Sequence, residues 1–445
     1  MRRIWPLVAL LAGAPAVAAE TVAFINVNVV PMDTERVVAQ QTVVVRDGFI
    51  DALGPVDDVP IPEGATVVDG TDRYLMPGLA EMHAHVPAAD SPSLARYFDL
   101  YVANGVTTIR GMLGRESHLG LRDDLEAGSL FGPRLVTSGP SLNGRTVSGA
   151  RQARDMVAAQ HAAGYDFIKI HPGLTADEFD AAANTANALG IPYAGHVPVA
   201  AGVARALELD MATIDHLDGY FAALMPPDSH GRGGFGGFFD VFLAGEIDAD
   251  RIADIAAATA QAGTWNVPTE VLIEQLVDAT PVSELRNRPE MRYMPAATVS
   301  DWVRAKESQL TDRDYDPAIA ALAVELRRKL ILELHRAGAG LLLGSDSPQI
   351  FNVPGFSLHR ELETLVAAGL TPWAALYSGT VAVATYLGSN AGVVAVGRAA
   401  DLVLLDANPL DDIGNSRRIH GVMLRGTWFP AATLEDRMER WRDAR

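Results

Sequence analysis

The middle of this 445-residue chain alternates short apolar runs with amphipathic ones, and that alternation leaves few folds open. Eight stretches read as strands: 78–85, 106–110, 134–138, 166–170, 192–197, 213–217, 265–269 and 340–346. They are short and largely apolar, as strands buried on both faces are. Between them lie helical patterns such as 149–163 and 176–189, the second opened by Thr175 as an N-cap. Gly164, Gly190 and Gly263 stand just before the next strand, where a left-handed residue ends a helix at little cost. Strands that alternate with helices require a parallel sheet covered by helices. Eight such units predict an α/β fold, a (β/α)8 TIM barrel over residues 77–388.

The two ends of the chain have a different texture. Residues 21–30 and 42–46 are β-branched runs, Asp47-Gly48 is a turn signal, and 66–69 adds another strand. Residues 393–396, 400–406 and 421–428 repeat the pattern near the C-terminus. One small β-sandwich formed from both ends is expected, from residues 19–76 and 389–445. Residues 1–18 carry Arg2, Arg3, an apolar stretch at 4–11 and the small-residue pattern Ala16-Val17-Ala18. This reads as a signal peptide cleaved before Ala19, the alternative being an uncleaved anchor. The expectation is a periplasmic or secreted chain with no membrane span after signal removal.

Composition narrows the function. With 49% hydrophobic and 20% charged residues the chain is globular. A formal net charge of −19 argues against a nucleic-acid partner. The absence of cysteine excludes thiolate metal sites and disulfides. The Gly-rich stretch 231–239 contains a G-x-G-x-x-G pattern, but it opens no helix and lies in no βαβ unit. It reads as a lid over the barrel mouth or as a surface loop. The connection 270–338 is expected to be mostly helical.

Barrels of this kind carry their chemistry where strands end. His83 and His85 close the first strand, and because side chains alternate across a strand they face the same way and can grip one metal ion. Lys169 closes the fourth strand, His196 the fifth, His216 the sixth and Asp346 the eighth. Each alone has an ordinary explanation, such as a hydrogen-bonded core histidine or a lysine paired with a carboxylate. Together they fall on one rim. An ammonium repels metals, but a buried lysine with a lowered pKa can react with CO2 to give a carbamate, an anion able to bridge two ions.

These segments carry a resemblance. Met76–His85 with its His-x-His, Phe167-Ile168-Lys169-Ile170, Gly195-His196-Val197-Pro198, Ile214-Asp215-His216, Gly344-Ser345-Asp346 and the tail 396–409 resemble the amidohydrolase superfamily, in particular its imidazolonepropionase-like and prolidase-like members. The resemblance implies a hydrolase with two divalent metal ions, Zn2+ being expected. His83 and His85 would bind the more buried ion, and His196 and His216 the more exposed one. A Lys169 carbamylated by CO2 would bridge both, and Asp346 would touch the buried ion and act as the catalytic acid–base toward a bridging hydroxide. Glu81 stands where relatives often carry aspartate, and it is not expected to be a ligand. The implied activity is cleavage of an amide or peptide-like C–N bond, in a dipeptide or N-acyl amino acid.

Alternatives are a lactone or ester hydrolase, a mononuclear deaminase-like member, or an exported binding protein without activity. The deaminase reading calls for a glutamate in a His-x-x-Glu pattern, where this chain has His196-Val197-Pro198-Val199. Arg110, His171 and Tyr220 are candidates for holding a substrate carboxylate or a developing oxyanion, against a purely structural role. His230 and Arg232 are weaker candidates. His118, His161, His335, His359 and His420 read as structural or solvated. The expected partner is a small-molecule substrate, with homo-oligomerisation left open.

Overall fold

The computed structural model describes residues 21–226, 238–312 and 315–442. The expected signal peptide, His230, Arg232 and most of the Gly-rich stretch lie outside the described residues. The chain opens with strands β1 (Val22–Val29), β2 (Val38–Arg46), β3 (Phe49–Pro55), β4 (Thr66–Asp69) and β5 (Tyr74–Pro77). Strands β6 (Leu79–Ala84), β7 (Val106–Gly111), β8 (Arg134–Thr137), β9 (Ile168–Ile170), β10 (Tyr193–Gly195), β11 (Thr213–Asp215) and β12 (Trp265–Val267) follow, separated by helices. The chain ends with β13 (Leu402–Leu405), β14 (Ile419–Leu424) and β15 (Thr427–Pro430), then a last helix, Ala431–Glu439.

The terminal strands unite in one sheet of order β15-β14-β13-β5-β1-β2-β3, with β4 beside β1. Antiparallel pairing of β13 with β5 joins the two ends of the chain. In hydrogen bonding this is a single eight-stranded sheet, where the sequence suggested a two-sheet sandwich. Alternate residues of its strands (Val22, Phe24, Val43, Val45, Leu402, Leu404) pack with Leu75 and Met423 in a core of their own.

The parallel strands form a three-stranded sheet, β6-β7-β8, and a four-stranded one, β12-β11-β10-β9. Seven of the eight expected strands are therefore present, each shorter than or close to its sequence-based bounds. The eighth, 340–346, is not a regular strand. It is an extended segment tied by single bridges, Leu341 to Asn266 and Ser347 to Ala84. Leu342 N donates to Asn266 O at 2.9 Å, and Met82 N donates to Leu343 O at 2.8 Å, so the segment runs between β12 and β6. Another single bridge, Ser138 to Phe167, links β8 to β9. The strands are thus two sheets joined by isolated bridges, without one closed ladder. Close approach explains part of this irregularity. A Cβ added to Gly344 would lie 2.6 Å from Val267 Cγ1 and 2.9 Å from His83 N, so this position admits only glycine.

Helix boundaries follow the sequence signals. Helices Ala150–Ala163, Ala176–Leu189 and Ile252–Ala262 end at Gly164, Gly190 and Gly263, all left-handed. Thr175 and Glu178 form a reciprocal capping box, with each side chain bonded to the other's backbone N–H. The 270–338 connection is helical over Glu270–Val277, Val282–Arg286, Ala296–Leu310 and Pro317–Ala337. No described helix is long and apolar enough to cross a membrane.

His359, in helix Phe356–Ala367, is a structural histidine as expected. It is fully buried, with Nδ1 2.9 Å from Ser416 Oγ and Nε2 3.1 Å from Asn104 O. Burial pushes its pKa from 6.5 down to about 3. The unfolded chain therefore takes up this proton first. The stability His359 contributes is complete above pH 6.5 and is lost as pH falls from there toward 3. The slope is about 1.4 kcal/mol per pH unit. His359→Gln should flatten the fall of stability between about pH 6 and about pH 4 in denaturant titrations; an unchanged slope would contradict the assignment.

Candidate active site

His83, His85, His196, His216 and Asp346 come together around one cavity. His83 lies near the end of β6 and His85 just past it; Lys169 is in β9, His196 follows β10, His216 follows β11, and Asp346 lies in the 340–347 segment. His85 Nε2 is 3.1 Å from Asp346 Oδ1, His83 Nε2 is 3.8 Å from the same oxygen, and His216 Nδ1 is 3.8 Å from Asp346 Oδ2. Ligand atoms of His83, His85 and Asp346 all lie within 4.8 Å of one another. The ring centroids of His83 and His216 are 4.4 Å apart, and those of His196 and His216 are 4.7 Å apart. The four histidines and Asp346 line a cavity of about 630 Å³.

Backbone geometry aims these groups. His216 (φ 63°), Leu217 (φ 52°), Thr269 (φ 47°) and Asp346 (φ 57°) are left-handed without being glycine. Each such residue costs roughly 1–2 kcal/mol, and such strain collects at functional sites. Here it turns the chain sharply just past the strand ends.

Lys169 is fully buried, and its Nζ has no hydrogen-bond partner. Burial lowers its pKa from 10.5 to about 8, against the pull of Asp215 and Asp346. The ordinary role, an ammonium donating to a carboxylate, is therefore absent. Gly195 makes room for this side chain. Its φ is +123°, and an added Cβ would lie 2.9 Å from Lys169 Nζ. Three of the imidazoles, His83, His85 and His216, are held neutral. Burial, then the Lys169 charge, keeps His83 well below 6.5; burial, then His83, does the same for His216; burial also lowers His85. Neutral imidazoles keep a lone pair for a metal.

Three of the rings, and Asp346, have a neighbour the sequence reading did not assign. Asp215 Oδ2 lies 2.8 Å from His83 Nδ1, without hydrogen-bond alignment. Asp218 Oδ2 is 3.0 Å from His196 Nδ1, Thr269 Oγ1 is 2.8 Å from His216 Nδ1, and Gln349 Nε2 donates to Asp346 Oδ1 at 3.0 Å. Metal-binding histidines carry such partners on the nitrogen turned away from the ion. The run Ile214-Asp215-His216-Leu217-Asp218 held a signal for two of them, acids flanking a ligand. Glu81, as expected, is no ligand. Its buried carboxylate accepts from His83 N at 2.9 Å, from Ser345 N at 2.8 Å and from the Ser345 hydroxyl, fastening β6 to the 340–347 segment. Burial raises its pKa to about 7.

Two expected substrate contacts are corrected. Arg110 is fully buried and does not line the cavity around the histidines. Its Nη2 bonds both Asp215 oxygens at 3.2 and 3.3 Å, its Nε donates to Met82 O at 2.7 Å, and its Nη1 donates to Thr213 Oγ1 and the Tyr386 hydroxyl. A buried guanidinium needs such partners, and these hold it behind His83. Tyr220 is also fully buried, its hydroxyl 3.0 Å from Thr259 Oγ1 and 2.9 Å from Asn266 Oδ1. His171 does line the cavity, stacked 5.2 Å from His196.

The donor set fits a divalent ion. It offers the imidazoles of His83 and His85 and the carboxylate of Asp346 at ligand spacing, with the unpartnered Lys169 amine also buried.

Comparison with known proteins agrees with this geometry. The amidohydrolase family model matches residues 74–429. A solved bottromycin amidohydrolase is 26% identical, covers 95% of this chain and 90% of its own, and superposes with a TM-score of 0.72. A proposed prolidase from Bifidobacterium longum is 24% identical over 95% of this chain and 99% of its own, with a TM-score of 0.67. An Xaa-Pro dipeptidase solved with methionine in its active site is 18% identical over 92% of this chain and 100% of its own, TM-score 0.67. No curated protein matches the chain. The family match covers most of the chain, including every site residue above: the chain belongs to the amidohydrolase family and is a hydrolase acting on carbon–nitrogen bonds.

Proposed function

We propose that this chain is an exported enzyme that cleaves an amide or peptide-like bond with a pair of divalent metal ions. The observation that carries the reading is the buried Lys169 amine, unpartnered beside four neutral or cavity-lining histidines and Asp346. His83 and His85 would hold the more buried ion, His196 and His216 the more exposed one, and Asp346 would reach the first. Lys169 would join them as a carbamate: its nitrogen attacks CO2, a C–N bond forms and a proton is released. When bound, such ions, Zn2+ being favoured by the nitrogen and oxygen donors, polarise the scissile carbonyl and lower the pKa of water from ~15.7 toward ~7.

The chain's own groups do the rest. The Asp346 carboxylate takes the proton of the attacking water and passes it to the leaving nitrogen. Asp218 and Thr269 fix their rings, and Gln349 steadies the Asp346 oxygen that faces it. The apolar walls Leu272 and Leu276 keep bulk water away from the reacting bond.

The architecture is read as a (β/α)8 barrel over residues 77–388, carrying a small β-domain from residues 19–76 and 389–445. The single bridges at Ser138–Phe167, Asn266–Leu341 and Ala84–Ser347 support a ring of strands around the site. The basic, apolar and small-residue pattern of residues 1–18 supports export and a mature chain starting at Ala19.

The test is hydrolysis of an amide panel by the purified full chain before and after treatment with a chelator. Activity should vanish with the chelator and return with added zinc. Cleavage that persists without metal would overturn the reading.

A further inference from the structure

Beyond the ligand cluster, the cavity is walled by Phe239, Phe242, Leu272, Leu276 and Ile350. Leu272 and Leu276 lie one turn apart on helix Glu270–Val277, both buried, and form a continuous apolar ridge. Phe239 lays its ring over the histidines, 6.0 Å from His196 and 4.7 Å from His216. It does so from a left-handed backbone with φ 54°, which an aromatic residue seldom adopts. Strain at such a point is kept where the side chain's position matters.

The polar part of the wall matters as much. Ser308, Gln309 and Gln349 are neutral. Among the described residues that line the cavity there is no arginine or lysine; the charged ones are the carboxylates Asp346 and Asp312. Arg110 is turned away, its guanidinium bonded to Asp215, Thr213, Tyr386 and Met82. A substrate carboxylate lodged against these walls would lose its hydration and gain no cationic side chain in return. The chain's net charge of −19 adds long-range repulsion toward anions.

We infer that the substrate is a neutral amide carrying a bulky apolar side chain, aromatic or branched, with no free carboxylate beside the scissile bond. This rests on the amide-hydrolase reading proposed above and sharpens it. A blocked or continuing peptide fits these walls; a free dipeptide or an N-acyl amino acid does not.

The test uses the zinc-loaded full chain with four matched compounds: N-acetyl-leucyl-phenylalanine, N-acetyl-leucyl-phenylalaninamide, N-acetyl-glycyl-glycine and N-acetyl-glycyl-glycinamide. In parallel, calorimetry measures binding of inert ketomethylene analogues of the two leucyl compounds. The phenylalaninamide should exceed its free acid in kcat/KM by about 10-fold or more, and the glycinamide by roughly 10–200-fold. The amide analogue should also bind more tightly than the acid analogue. Leu276→Arg, which sets a cation in the wall, should narrow or invert the amide-over-acid preference. Equal or better turnover of the free acid would overturn the inference while leaving the hydrolase reading intact. If no compound is hydrolysed and neither analogue binds, the hydrolase reading falls and takes the inference with it. Selective binding of the amide analogue without hydrolysis would support the pocket assignment and count against the activity alone.

Discussion

Lys169→Met is expected to cost roughly 10³-fold in kcat/KM while leaving the protein at least as stable as the wild type. Methionine matches lysine in length and fills the same volume without an amine. Lys169 Nζ makes no hydrogen bond, so no structural bond is lost. Removing a buried group that can be charged also relieves a desolvation cost. The two readouts separate the roles of this lysine. If Lys169 only held the strands together, the variant would melt earlier and keep its activity. If it joins the metal-binding halves of the site, melting holds and turnover collapses. Circular dichroism melts and steady-state kinetics on the same preparation decide between them.

Asp346→Asn is expected to lower kcat by roughly 10²–10⁴-fold, with KM near that of the wild type. Asparagine keeps the side-chain shape, can still accept from Gln349 Nε2 through its carbonyl, and tolerates the left-handed backbone at φ 57°. It cannot take up the proton of an attacking water or hand it to a leaving nitrogen. Asp346→Ala should also fold and lose nearly all turnover. Near-normal kcat in either variant would refute the proton-transfer role. A large rise in KM with kcat preserved would recast Asp346 as a substrate contact.

The candidate cluster was legible in the sequence because each member sits at or near a strand end within its own short motif. His83 and His85 share a face by strand alternation, and the glycine stops before β9, β10 and β12 set the rhythm of the fold. Two partners of those residues, Thr269 and Gln349, were not legible. Thr269 and Gln349 reach His216 and Asp346 through space, across different strands and loops. Arg110 and Tyr220 were misjudged for one physical reason. Position at or near a strand end says nothing about whether a polar side chain turns up into the cavity or is taken by buried partners. Arg110 is taken by Asp215, and Tyr220 by Thr259 and Asn266. The eighth strand was overread because its apolar residues are strand-like, while the close contact at Gly344 and the left-handed Asp346 break a regular ladder. At the chain ends, the β-branched runs foretold strands but not how they pair; the β5–β13 ladder that merges them into one sheet depends on contacts more than three hundred residues apart.

Metal analysis of the purified chain by plasma emission, wild type beside Lys169→Met, tests the central claim most directly. About two equivalents of a divalent ion are expected in the wild type, and at most about one in the variant. A wild-type protein that takes up no metal, or a content that Lys169→Met leaves unchanged, would contradict a paired-ion centre joined at Lys169.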